Sequence, residues 1–130
     1  MEQTTKRPDI RSELERILDR AMRDMHCMAI VAARLDGLPI ASRFATKLDP
    51  RVAAAVAATI YGAAEVVSRE LSQGTIEQIA LQYSHGRVVA VGAGPDAVVI
   101  AVYAKEGALG LALLSLTRAA ADVAAILEEV

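Results

Sequence analysis

The sequence predicts an α/β fold of the α+β type, in which helices cover the faces of an antiparallel β-sheet. Three segments repeat apolar residues at helical spacing, and five shorter stretches are apolar runs or alternate apolar with polar residues. Short turn sequences join neighbouring strands, which makes antiparallel pairing the simplest arrangement. The predicted order is helix, two strands, helix, three strands, helix.

The first helix and the first two strands come before residue 46. Asp9 caps a helix whose apolar residues run at helical spacing as far as Met25. Residues 27–36 form an apolar strand that ends at an Asp-Gly turn, and the returning strand carries Pro39. Because proline has no N–H for a β-ladder, we expect the returning strand to lie at an edge of the sheet.

Cap and turn residues also predict the second helix, the last three strands and the closing helix. Asp49 supplies the cap and Pro50 fits the first helical position, so a helix runs from there to about Ser72. Turn residues then separate three strands and a closing helix. These elements are predicted at residues 75–84, 87–94, 96–105 and 108–128.

Length and composition indicate one domain and exclude several classes of protein. The polar residues 1–8 are predicted to be a flexible tail, and residues 9–130 a single domain. A net charge of −2 and only 3% aromatic residues argue against nucleic-acid binding. Cys27, the only cysteine, is expected to be a buried, inert thiol. No signal peptide is apparent and the apolar stretches look too short to span a membrane, so we expect a cytoplasmic protein without direct membrane insertion.

The second helix is too apolar to have only one buried face. We expect one apolar stripe to face the sheet: Val52, Val56, Ile60, Ala63, Val67 and Leu71. A second stripe of small residues would then be exposed, and we predict that it is a dimer interface: Ala55, Ala58, Thr59, Gly62 and Val66. A twofold axis lets one such patch serve both subunits. The alternative is a helix that is simply rich in alanine, the best helix former.

The strand predicted at Ile76–Ser84 favours the same interpretation. It carries no proline, and its only charged residue is Glu77, so an edge here would be open to pairing with another chain. The interface residues predicted in this segment are Ile76, Gln78, Ala80 and Gln82.

Polar residues on the second helix are candidates for contact with a different partner. Glu65 and Arg69 lie four residues apart, with Tyr61 nearby, and would form the polar rim of a partner site in which Tyr61 and Arg69 are anchors. Arg51 and Arg43 are weaker candidates. The alternative is an ion pair that faces solvent and contributes little.

The sequence predicts no catalytic residue, no cofactor and no metal. Ser84 and His85 share a turn but lack the third group and oxyanion hole of a hydrolase. His26, Cys27 and His85 lack the spacing of metal ligands. The glycines at 92 and 94 lead into a strand without a Walker pattern, so we expect a protein that is not an enzyme.

Six segments together resemble the roadblock / dynein light chain family. In order they read DGLPIAS, LDPRVAAAVAATIYGAAEVVSREL, GTIEQIAL, GRVVAVGAG, DAVVIAVYA and GALGLALLSL. The resemblance covers about residues 9–128 and is nearest to short prokaryotic members, including a bacterial gliding-motility regulator of a Ras-like GTPase. It rests on the ordered set of segments, since no single motif is diagnostic.

The resemblance implies a specific fold and assembly. The fold would be a five-stranded antiparallel sheet of order 2-1-5-4-3, with the second helix on one face and the first and third on the other. Members of the family form homodimers or heterodimers by joining the edges of the third strands and packing the second helices together. Such proteins bind small Ras-like GTPases and tune their cycle or location, without hydrolysing nucleotide themselves.

The sequence therefore predicts a dimeric, non-catalytic regulator or adaptor of a small Ras-like GTPase, paired with itself or with a roadblock paralogue. One alternative is a scaffold or cargo-adaptor subunit that leaves GTP hydrolysis unchanged. The other is a small-molecule sensor, which would require a cavity.

Overall fold

A computed structural model describes residues 9–25, 27–45, 47–104 and 109–129. The elements follow the predicted order: α1 (Ile10–Met25), β1 (Ala29–Arg34), β2 (Pro39–Phe44), α2 (Pro50–Leu71), β3 (Ile79–Gln82), β4 (Gly86–Gly92), β5 (Ala97–Ala104) and α3 (Leu109–Glu128). Residues 1–8, predicted to be a tail, and His26 lie outside the described residues.

The five strands form one antiparallel sheet in the order β2-β1-β5-β4-β3, as predicted. β2 and β3 are therefore the two edges. β3 is shorter than the predicted strand, because its pairing with β4 extends only from Ile79 opposite Ala90 to Gln82 opposite Arg87. Ile76 and Gln78 consequently precede the strand instead of belonging to it.

The sheet separates two hydrophobic cores. Leu18 of α1 and Leu116 of α3 are fully buried in the core on one face. Ala57 of α2 is fully buried in the core on the other face. Adjacent residues of β1 alternate between the two, Ile30 facing α1 and α3 and Val31 facing α2. The predicted placement of the three helices is thus confirmed.

The edge strand β2 departs from regular pairing. Pro39 is its first residue, where the missing N–H disrupts the ladder least. Ala32 pairs with Ala41 and Ala33 with Pro39, so Ile40 is an extra residue in a β-bulge. Further along, the Arg43 guanidinium donates to Asp19 of α1 at 2.7 Å and to Glu15 at 3.1 Å, which fastens α1 over this edge.

The prediction of which side of α2 faces the sheet was wrong. The buried residues of α2 are Ala54, Ala57 and Tyr61. Four of the six residues expected there point outward: Val52, Val56, Val67 and Leu71 are 60%, 48%, 54% and 61% exposed. Ala63 is exposed as well, whereas Ile60 is half-buried against the core on this face. Alanines at the contact let the helix axis approach the central strands closely, so the larger side chains are left on the outside.

Helices α2 and α3 are both long and apolar enough to cross a membrane by length and composition alone. The expectation that no apolar stretch reaches this length was therefore wrong. Only 11% of the apolar window of α2 and 28% of that of α3 are buried. Here both helices pack on the sheet, through residues such as Ala57 of α2 and Leu116 of α3.

Gly92 gives a test of how tightly α2 sits on β4. A Cβ added there would overlap the Tyr61 hydroxyl and lie 3.2 Å from Cζ of the same ring. We expect Gly92→Ala to cost about 1–3 kcal/mol in urea denaturation, because the ring must shift in a packed core. Tyr61→Phe should restore part of that loss in the double variant. Gly110→Ala, whose Cβ would meet nothing within 4 Å, is the control and should not destabilise the protein; equal losses for both glycine variants would contradict this packing.

Candidate interaction surface

The outward side of α2 is a large apolar surface. We define the α2 outer face by its exposed branched residues: Val52, Val56, Val66, Val67 and Leu71. About half or more of each side chain is exposed. Contiguous apolar patches of this kind on a monomer usually mark an interaction site.

An apolar groove continues this surface onto the sheet. Its volume is about 220 Å³. Val52, Val56 and Ile60 line it from α2. Val88, Ile100 and Val102 line it from β4 and β5, and Tyr83 closes the end beyond β3 while remaining 54% exposed. The groove is smaller than the roughly 300–1,000 Å³ of usual small-molecule sites, so it suits side chains of a protein partner better than the ligand of a sensor.

The stripe of small residues predicted as a dimer interface lies beside this groove and not in it. Ala55, Thr59 and Val66 are exposed, whereas Ala58 and Gly62 are half-buried. The Thr59 hydroxyl donates to the Ala55 carbonyl at 2.8 Å, so its polar group is already satisfied within the helix. Val52 and Val56 of the groove were expected to face the sheet, so they were not among the predicted interface residues.

The outer edge of β3 is unguarded. β3 contains no charged residue and no proline, and no further strand pairs with it among the described residues. Of the predicted interface residues in this segment, Gln78, Ala80 and Gln82 are exposed and Ile76 is half-buried. The Gln82 side chain is held by Arg87 of β4, which donates to it at 2.9 Å.

Tyr61 is not the exposed anchor that the sequence suggested. Only 8% of it is exposed, and it belongs to the core between α2 and the sheet. Burial, with the Glu65 carboxylate as a smaller cause, raises the pKa of its phenol. Its place on the inward side of the helix follows from its spacing of four residues from Ala57.

Three other partner-site candidates lie on the surface. Glu65 and Arg69 line a cleft of about 330 Å³ against the turn at Gly94 and Pro95. The described residues show no ion pair between Glu65 and Arg69, so both groups remain available to a partner. Arg51 lies at the start of α2, where its guanidinium is 3.5 Å from the capping carboxylate of Asp49. The backbone N–H of Arg51 also donates to Asp49 and lowers the pKa of that carboxyl.

Side chains capable of nucleophilic, acid–base or metal chemistry do not form one cluster in the described part of the chain. Ser84 Oγ lies 3.0 Å from His85 Nδ1 in an exposed turn. No cluster of three or more His, Cys, Asp or Glu side chains suited to a metal occurs in the described part of the chain. Cys27 is buried as predicted, and burial raises the pKa of its thiol to about 11. A thiol in this state is a poor nucleophile at neutral pH.

This chain is similar in sequence to known proteins. The family model of the Roadblock/LC7 domain matches residues 13–104. An uncharacterised protein of Methanocaldococcus jannaschii is 36% identical over 91 residues, which cover 70% of this chain and 79% of that protein.

Solved structures agree with the fold across almost the whole chain. Myxococcus xanthus MglB superposes with a TM-score of 0.87 at 16% identity, covering 98% of this chain and 96% of that chain. The gliding protein MglB of Thermus thermophilus gives 0.86 at 19% identity and full coverage of both chains. At this identity the likeness shows the fold alone.

The buried thiol predicts a loss of stability at high pH. In the unfolded chain Cys27 ionises near its ordinary pKa of 9.0, whereas in the fold it stays protonated to about 11. The contribution of this thiol to the free energy of unfolding is therefore fully present below pH 9. It should be lost between about pH 9 and pH 11, which lowers the free energy of unfolding by on the order of 1–2 kcal/mol. Urea denaturation across that range should show a shallower decline for Cys27→Ala; parallel curves would contradict the assignment.

Proposed function

The chain belongs to the Roadblock/LC7 family, and from that premise we propose that it is a non-catalytic dimeric regulator that binds a small Ras-like GTPase. The observation that carries the proposal is the α2 outer face together with its groove and the unguarded β3 edge. An apolar helix face beside an open strand edge is suited to association with a second chain. The proposed location is the cytoplasm.

A second copy can satisfy both features at once. If β3 pairs with its twofold mate, the sheet continues into the partner. Leu81 pairs with Val88, and the half-buried Val88 packs against the core on the α2 side. The partner's α2 would then lie over this half-covered part of the sheet and fill the groove. We therefore propose Val52, Val56 and Val67 as interface residues in addition to the predicted stripe.

The GTPase would bind across the paired second helices. Polar groups at the ends of α2, Arg51 on one side and Glu65 with Arg69 on the other, would form the rim of that site. The protein would act by preferring one arrangement of the switch loops, since a binding partner shifts an equilibrium only through its differential affinity for the two states. No catalytic group of its own is needed for this role.

Val56→Lys tests the dimer. A lysine in the groove would be buried without a partner when a second copy docks, which should weaken dimerisation by about 3 kcal/mol, or more than a hundredfold in the dissociation constant. Leu114→Lys, on the exposed side of α3, is the matched control and should leave dimerisation unchanged. Sedimentation equilibrium at micromolar concentration measures both. A wild-type protein that sediments as a 13.7 kDa monomer would overturn the dimer.

Arg69→Glu tests the partner site. A candidate GTPase from the same genome is loaded with GDP or with a GTP analogue, and we expect tighter binding in one nucleotide state together with a changed hydrolysis rate. Reversing the charge at Arg69 should weaken binding about tenfold, while Arg118→Glu on α3 should not.

Binding without nucleotide preference or rate change would favour the scaffold role over regulation. Absence of binding would remove the GTPase from the proposal and leave the dimer result standing.

A further inference from the structure

A second cleft lies at the opposite end of the sheet, on the face covered by α1 and α3. Its volume of about 640 Å³ is almost three times that of the groove beside α2. The β1–β2 turn, the β4–β5 turn and the C-terminal end of α3 surround it. It shares no residue with the groove beside α2.

The floor of this cleft is apolar. Ile40 from β2 and Ala124 and Leu127 from α3 line it, and each also packs against the core of that face. Ile40 reaches this side although its neighbour Ala41 is buried there too. Successive residues of a regular strand point to opposite faces, so the bulge at Ile40 is what turns its side chain into the cleft.

The walls are held in place by backbone hydrogen bonds. The N–H of Leu35 donates to the Asp96 carbonyl at 2.9 Å and so joins the two turns. The N–H of Arg34 donates to the Leu38 carbonyl, also at 2.9 Å, and closes the first turn. A cleft whose walls are already fixed loses little entropy when it binds a ligand.

The rim is acidic. Three carboxylates border the cleft, from Asp36, Asp96 and Glu128, against the single guanidinium of Arg34. The charge of Arg34 is already balanced, because its guanidinium lies 2.6 Å from the Asp36 carboxylate. Asp96 and Glu128 have no ion-pair partner among the described residues. The C-terminal end of α3 adds the negative end of a helix dipole.

We propose that this cleft binds an extended segment of a partner protein in which an apolar side chain is flanked by lysine or arginine. The apolar side chain would lie on Ile40 and Leu127, and the flanking cations would pair with Asp96 and Glu128. Charge complementarity selects this occupant, since an acidic segment would meet two unpaired carboxylates. The inference does not rest on the dimer or on the GTPase, although this cleft shares the turn at Gly94 and Pro95 with the cleft of Glu65 and Arg69.

The probe is a short fluorescent peptide with a central leucine between lysines, measured by fluorescence anisotropy at low salt on the full-length protein. We expect saturable binding with a dissociation constant below about 1 mM. Replacing the rim carboxylates, Asp96→Asn with Glu128→Gln, should weaken it about fivefold, the effect of losing two solvent-screened ion pairs. Both residues are exposed, so the fold should survive the change.

The matched control removes two carboxylates elsewhere. Glu70→Gln with Glu77→Gln makes the same change in net charge at exposed positions outside the cleft and should bind as the wild type does. Equal weakening in both double variants would reduce the effect to overall charge and overturn the site. Equal binding of a peptide whose lysines are glutamates, or of one whose leucine is serine, would also overturn it.

Discussion

The close contact between α2 and the centre of the sheet is the constraint on which the rest of the structure depends. Ala54 and Ala57 are fully buried at this contact. Ala54, Ala57 and Tyr61 occupy the inward side of the helix, so its valines cannot face inward at the same time. Those valines are left on the outside, where their burial becomes available to another chain. The packing of α2 on the sheet is thus the reason that its outer side is apolar.

The two faces of the sheet consequently differ in kind. On the side of α1 and α3, two helices and large residues such as Leu18 and Leu116 make a thick core. On the side of α2 a single helix packs mainly on β1, β2 and β5, and Val88 of β4 remains half-buried. The first side holds the larger of the two cores, and the second is the side where an additional layer can be accommodated.

Much of this arrangement could be predicted from the sequence. Caps and turns such as Asp49-Pro50 and Asp36-Gly37 act locally, and they gave the order of elements; the resemblance gave the strand order. Which side of α2 faces the sheet could not be obtained in this way. Several sides of this helix are apolar, and only its packing against β1 determines which of them is buried. Tyr61 was misplaced for the same reason. The cleft at Ile40 was also not predicted, since a bulge depends on how two strands pair and cannot be recognised from the sequence of one strand.

The two edges of the sheet have opposite properties. At β2, Pro39, the bulge at Ile40 and the α1 carboxylates that hold Arg43 all interrupt the regular ladder that an incoming strand would need. At β3 nothing comparable is present in the described residues. A chain with two receptive edges would add further copies without limit and grow into a fibre. A chain with one receptive edge consumes it in the first encounter, so association by strand addition terminates itself at a pair.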